Sequence, residues 1–236
     1  MAAVQMADGV WRIPLAPRDF LNAFLLEGDD GTLTLVDAGT KASPRRVLAA
    51  LAQLGKAPQD VTHLLLSHAH NDHTGGAAAV QRATGSRVAT HDTEAAYVRE
   101  GRMPTPDSAT WGGLLMARLP RVASGFARVD VDDTFTDGNV LPLAGDISVV
   151  HTPGHTPGHC SFLHRRSGVL LASDAIFNVR GLRYPFRSSC FDLTSMRASA
   201  ARLGELDYDV AAFAHGPHVS TGARVAVRAF LAGRSS

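Results

Sequence analysis

Ser67-His68-Ala69-His70-Asn71-Asp72-His73 is the stretch that decides the fold, because it places four metal-ligating side chains in seven positions between an apolar run, 63–66, and a helix-forming one, 76–83. If positions were independent, an HxHxDH string would be expected about 0.002 times in a chain of this length and histidine content. Residues two apart on a helix face different ways, so His68 and His70 can act together only on extended backbone. The turn through Asp72 and His73 then offers a second set of ligands beside the first. The alternative is four solvated loop residues, an unfavourable use of clustered His and Asp at ligand spacing.

Outward from this stretch, short runs rich in branched residues and bounded by Gly, Asp and Pro alternate with longer Ala/Leu-rich stretches, which is an α/β pattern. Runs 21–26 and 32–36 flank Gly28-Asp29-Asp30-Gly31, whose Asp and Gly tolerate positive φ. This predicts that the first two strands form an antiparallel hairpin. Ser43-Pro44 opens a helix, with Ser43 as N-cap and Gly55 closing it. Further strands are expected at 63–66, 87–90, 140–143, 147–150, 160–163, 169–172 and 210–214. Helices are expected at 76–83, at 93–100 with Thr93 as cap, at 193–206 and from 223 onward. No internal repeat and no long Pro/Ser-rich linker interrupts this succession, so residues 1–236 read as one domain.

The composition, 45% hydrophobic and 19% charged over 236 residues, suits a globular chain with a substantial core. Lys+Arg 23 against Asp+Glu 22 leaves no global field to hold nucleic acid or an anionic membrane. The opening MAAVQMADGVWRIPLAPRDF has no basic run followed by an apolar one, and no stretch approaches the roughly 20 apolar residues that span a bilayer. Cys160 and Cys190 are too few for a disulfide framework and read as reduced thiols, so the expected location is the cytoplasm.

Four more strand ends carry chemistry. In His151-Thr-Pro-Gly-His155-Thr-Pro-Gly-His159 the paired Pro-Gly turns fix the backbone. His155 is the expected ligand, and His151 and His159 either brace the site or pack against it. Asp174, in Leu171-Ala-Ser-Asp174, and His215, in Ala214-His215-Gly216, each follow an apolar run and each is weak evidence alone. Asp37, in Leu35-Val36-Asp37-Ala38-Gly39, is placed to accept a hydrogen bond from a ligand histidine and fix its tautomer. All lie past the C-terminal ends of strands, the edge at which α/β proteins assemble sites.

VDAG at Asp37, HxHxDH at His68 to His73, TPGH at His155, SDAIF at Asp174 and AHG at His215 together resemble the metallo-β-lactamase-fold hydrolases over about residues 10–218. The resemblance implies a four-layer αββα sandwich of two mixed β-sheets flanked by helices. It implies two divalent metal ions, usually zinc, with His68, His70 and His155 on the first, Asp72, His73 and His215 on the second, and Asp174 bridging them. Imidazole and carboxylate ligands suit zinc and also accept iron or manganese. A divalent metal lowers the pKa of bound water to about 7, which makes a hydroxide available as nucleophile. The implied reaction is hydrolysis of an ester, thioester or lactone, with Asp72 as the catalytic residue that positions the hydroxide.

The departures narrow the branch. Zinc β-lactamases are exported and usually recruit a cysteine to the second metal, whereas His73 completes the motif here, so the chain is closer to the glyoxalase II and lactonase branch. Only Gly216 to Ser236 follow the last motif, in place of the helical region with which glyoxalase II holds glutathione. Acyl-homoserine lactonases share the TPGHTPGH tract, yet many have a tyrosine where this chain has Phe177, which cannot donate a hydrogen bond. Sulfur dioxygenases, with one iron on the same fold, give an oxidoreductase alternative, and a metal-bound, non-catalytic binding protein is a third. The pocket is expected to draw on Phe177, Arg183 and Tyr184, and on Trp111 from an apolar segment, 103–126, that forms either a cap or plain packing. The expected partner is a small molecule with an ester-type carbonyl. A homodimer is left open, and neither nucleic acid nor membrane is expected.

Overall fold

The computed structural model describes residues 2–104 and 125–233. Seven strands form one sheet in chain order: β1 (Val4–Ala7), β2 (Val10–Pro14), β3 (Asn22–Glu27), β4 (Leu33–Val36), β5 (Val61–Leu66), β6 (Arg87–His91) and β7 (Asp133–Phe135). Pairing is antiparallel as far as β4 and parallel from β4 to β7. The second sheet joins β8 (Val140–Leu141), β9 (Ile147–His151), β10 (Cys160–His164) and β11 (Val169–Leu171). A small separate hairpin follows, β12 (Phe177–Asn178) with β13 (Leu182–Arg183), and then β14 (Val210–Ala212), which returns to pair in parallel with β11. Both large sheets are therefore mixed.

The layers follow from which face each apolar residue takes. Along β5, Leu65 packs between the sheets with Phe24, Phe135, Phe162 and Leu171. Leu64 and Leu66 point the opposite way, into a core with α1 (Pro44–Gln53), α3 (Ala77–Thr84) and α4 (Asp92–Glu100); α2 (Asn71–Thr74) is the single turn at the end of the histidine stretch. On the other sheet Val169 and Leu171 face inward, while Leu170 packs outward against α5 (Leu193–Ala201) and α6 (Ala223–Leu231). Strands covered on both faces read as unbroken apolar runs, and this is why the central ones were legible. Fully burying one such leucine contributes about 1.5–3 kcal/mol. Among the described residues no helix is long and apolar enough to cross a membrane.

Several local expectations are corrected. β1 and β2 precede the predicted hairpin, so 21–26 and 32–36 hold the third and fourth strands; their antiparallel pairing stands. Ser43 already has helical backbone angles, φ −77° and ψ −25°, so its Oγ faces back and accepts from the Thr40 N–H at 3.0 Å without capping α1. α4 begins at Asp92, capped by His91, whose Nδ1 accepts from the Thr93 N–H at 3.2 Å. The helix expected to reach residue 206 ends at Ala201 and continues as a 3-10 turn, Arg202–Gly204. The segment 103–126, with Trp111, lies almost entirely outside the described residues, so the cap expectation does too.

Candidate metal centre

The loops after β4, β5, β9, β11 and β14 meet at one edge of the sandwich and bring together all seven histidines and aspartates expected to bind metal. Three overlapping groups have ligand atoms within 4.8 Å of one another: His68, His70 and His155; His68, His73 and Asp174; Asp72, His73 and His215. His70 ends the extended part of the first loop, at φ −95° and ψ 154°, and Asp72 and His73 occupy α2. Asp174 lies between the sets, with Oδ2 3.1 Å from His155 Nε2 and 3.5 Å from His215 Nε2, and Oδ1 3.3 Å from His73 Nε2.

Proton bookkeeping shows which ring atoms face the centre. Asp37, held at φ 63°, accepts from the Ser67 N–H at 2.9 Å and the Ser67 hydroxyl at 2.8 Å, and its Oδ2 lies 2.8 Å from His73 Nδ1. An ionised carboxylate only accepts, so His73 donates through Nδ1 and presents Nε2 to the centre. The Ser67 hydroxyl has one proton, given to Asp37, so its oxygen accepts from Ser173 Oγ at 2.8 Å and from His68 Nδ1 at 3.0 Å. His68 is thereby fixed with Nε2 unprotonated. His215 likewise donates Nδ1–H to the Phe20 carbonyl at 2.7 Å.

His68 Nε2, His73 Nε2, His155 Nε2 and Asp174 Oδ1 are buried without a hydrogen-bond partner. Apart from the approaches of His73 and His155 to Asp174 these atoms have no partner, and a cation among them would satisfy all of them at once. The donor set, imidazole nitrogens and carboxylate oxygens without thiolate, fits divalent metal.

The electrostatics split the cluster. Burial lowers His68, and neighbouring His73 and His70 lower it further, so it is neutral. His70 is lowered by burial and by His155 to about 3. Burial opposes charge on His215, but Asp174 and Asp72 outweigh it and raise the ring to about 10. His73 is raised in the same way against burial by Asp174, Asp37 and Asp72. Burial works against ionisation of Asp72 and Asp174, yet the surrounding histidines hold both below the usual carboxylate range. Without metal, two protons therefore neutralise two carboxylates.

The TPGH tract resolves into distinct parts. His159 donates Nδ1–H to Thr152 and accepts the Asp174 backbone N–H at 3.0 Å, so it braces Asp174. His151 turns away: its ring stacks on His91, centroids 4.2 Å apart, and Nε2 meets the Pro157 carbonyl. His155 Nδ1 lies 3.9 Å from Cys190 Sγ. Gly154 sits at φ +125°, and a Cβ there would lie 2.1 Å from the Met196 backbone nitrogen, so the turn requires glycine.

The sequence reading missed Glu94. Its side chain, 0% exposed, accepts from the Ala69 N–H at 2.8 Å through Oε2 and from the Gly158 N–H at 2.7 Å through Oε1. One carboxylate thus ties the loop holding His68 and His70 to the loop holding His155. The available signal was its place on the apolar side of α4, with Ala95 and Val98.

A cavity of about 360 Å³ opens onto the cluster and is lined by His70, Asp72 and His215 together with Phe20, Phe177 and Phe186. Phe177 stacks obliquely on His215 at 4.4 Å, and Arg183 reaches the same cavity. Tyr184, expected in the pocket, instead packs on Phe230 at 4.7 Å, because successive residues of an extended segment face opposite sides.

Comparison with known proteins agrees with this geometry. The metallo-beta-lactamase superfamily pattern matches residues 16–215. The hydroxyacylglutathione hydrolase GloC of Haemophilus influenzae is 25% identical over 227 residues, 91% of this chain and 94% of its own length. The N-acyl homoserine lactonase AttM of Azorhizobium caulinodans is 34% identical over 137 residues, 56% of this chain and 48% of its own. A metallo-beta-lactamase family protein of Thermus thermophilus superposes with a TM-score of 0.74 at 27% identity, covering 97% of this chain and 80% of its own. The two mixed sheets, the converging strand ends and these matches lead to one classification: the chain belongs to the metallo-beta-lactamase superfamily.

Proposed function

We infer that this chain is a dinuclear metal-dependent hydrolase of a small molecule with an ester, thioester or lactone carbonyl. In this reading His68, His70 and His155 hold one metal, Asp72, His73 and His215 the other, and Asp174 both; zinc is the expected metal. The observation that carries it is the convergence of buried atoms without a regular hydrogen bond, Nε2 of His68, His73 and His155 and Asp174 Oδ1, with the far sides of the His68 and His73 rings fixed by hydrogen bonds. Two relatives are named for hydrolysis of hydroxyacylglutathione and of N-acyl homoserine lactone, both substrates with such a carbonyl.

Divalent metals in such a site supply a Lewis acid and bring the pKa of water from 15.7 to about 7. The chain supplies the rest. Asp72, with its side chain 41% exposed, is the most open carboxylate of the set and lines the cavity. One of its carboxylate oxygens accepts a hydrogen bond from the attacking water and orients it toward the substrate carbonyl. Phe20, Phe177 and Phe186 give the acyl portion an apolar wall. Asp37, His159 and Glu94 touch no substrate and keep the ligand rings and loops in register.

The test is a panel of lactones, thioesters, aryl esters and β-lactams with metal-loaded protein. Turnover is expected on the first three and lost in Asp72→Ala. Turnover unchanged in that variant would refute the role of Asp72, and no turnover on any carbonyl ester would refute the reading.

A further inference from the structure

Beside the cavity over the histidine cluster lies a second, of about 410 Å³, which shares Phe20, Val179 and Arg183 with it. Its remaining walls include Arg18, Arg180 and Asn178 and no carboxylate. The geometry points to an anion subsite: Arg18, Arg180 and Arg183 hold a carboxylate or phosphate carried by the substrate, while its ester-type carbonyl sits over the cluster. This rests on the hydrolase reading above and deepens it.

Three observations carry the assignment. Among the described residues none of these three arginines is in an ion pair, and all three line the same concavity. Arg183 has only the face of Phe186, 5.2 Å away. Asp19, next to Arg18, is taken by Arg12 at 2.7 Å. Guanidinium groups left free around a concavity suit an oxyanion, which they can grip through two parallel N–H bonds.

The cavity is also built. Arg18 and Arg180 both hold left-handed backbone, φ 57° and 59°, a conformation that side-chain-bearing residues keep only when the surroundings enforce it. The enforcement is visible: the Gly216 N–H donates to the Asp19 carbonyl at 2.8 Å and the Asn178 N–H to the His215 carbonyl at 2.7 Å. Asn178 Nδ2 donates to the Pro217 carbonyl at 2.8 Å. At Gly216, φ +107°, a Cβ would fall 1.9 Å from the Asn178 carbonyl oxygen.

The third observation is register with the reacting centre. His215 Nδ1 is bonded to the carbonyl of Phe20, two residues after Arg18, and its own carbonyl holds the residue two before Arg180. Both arginine loops are therefore tied to one residue of the cluster, His215, and a substrate bridging the cavities is measured against it. An apolar segment beside Phe177 and Phe186, with a negative group beyond, matches the two cavities in sequence.

The experiment uses metal-loaded protein and thioesters sharing one acyl group and differing in the thiol: neutral, carboxylate-bearing or phosphate-bearing. A second series carries the charge on the acyl side. Wild type is expected to favour a charged member by at least about tenfold in kcat/KM, the yield of one charge-assisted contact. The preference should shrink as salt rises, disappear in the Arg18→Ala/Arg180→Ala/Arg183→Ala variant and invert in Arg183→Glu, mainly through KM. Calorimetric titration of the S-methylated carboxylate and phosphate thiols, which have no thiolate to ligate metal, reads the subsite without turnover. Hydrolysis with equal rates for charged and neutral members, or a preference that survives the triple variant, overturns the subsite and leaves the hydrolase reading. Anion binding abolished by the triple variant, with no hydrolysis of any member, upholds the subsite and overturns the reaction. Neither binding nor charge preference overturns the subsite.

Discussion

Replacing Glu94 by glutamine tests whether one buried carboxylate holds the candidate metal loops together. The side chain is fully buried and accepts two main-chain N–H groups, from Ala69 and Gly158. Glutamine retains one acceptor oxygen and turns an NH2 toward the other donor, so one buried N–H is left unsatisfied at about 1–3 kcal/mol. The chain should still fold, since domains of this kind have roughly 5–15 kcal/mol in hand. The loops carrying His68, His70 and His155 lose their common tie, and metal affinity should fall by the 10- to 100-fold typical of groups that orient ligands. Urea unfolding of metal-free protein gives the first quantity, and competition with a chromophoric chelator gives the second. A stability change below about 0.5 kcal/mol with unaltered affinity would refute the clamp. Loss of stability alone would reduce Glu94 to a packing element.

Three further outcomes are expected. Asp174→Ala should lower turnover by at least about a hundredfold, more than loss of an outer partner causes; a milder effect would take Asp174 out of the shared position between the ligand sets. Metal uptake near neutral pH should release up to about two protons per chain, since His73 is raised and His215 reaches about 10. Calorimetry in buffers of differing ionisation enthalpy measures this, and uptake without proton release would contradict the protonated pair. In metal-free protein the stabilisation from the charged His215 is full below its ordinary value of 6.5 and is lost as pH rises through about 10; unfolding free energies insensitive to pH over that window would contradict it.

What the sequence reveals here depends on whether a residue's neighbours are local. The HxHxDH stretch is legible because His68, His70, Asp72 and His73 are close in the chain, and a short extended run followed by one helical turn brings them together. Central strands are legible because Leu64, Leu65 and Leu66 are apolar on both faces. The opening hairpin was missed although Asp8-Gly9 makes a two-residue turn, with Ala7 opposite Val10 and Gly9 at φ +66°; its first strand is too exposed for a clear alternation. β7 is three residues long and two of them are exposed, which leaves no periodicity to read.

The fine construction of the site was hidden for a different reason. A glutamate on a helix is usually solvated, and nothing within Asp92–Glu100 shows that Glu94 meets Gly158, far along the chain. The Ser67 hydroxyl decides the protonation of His68 only through Asp37 and Ser173, just past the ends of β4 and β11. Tyr184 and Arg183 are neighbours that part company in an extended segment, one toward Phe230 and the other toward the cavity. Local spacing identifies the ligand types, and the partners that fix their tautomers come from long-range pairing.

The most direct measurement is elemental analysis of the purified chain together with anomalous diffraction at the metal edges. Two divalent ions per chain, mostly zinc, with one beside His68, His70 and His155, the other beside Asp72, His73 and His215, and Asp174 touching both, is the predicted result. A single iron per chain, or ions bound away from these side chains, would contradict the account and favour oxygen chemistry or no chemistry at this edge of the sandwich.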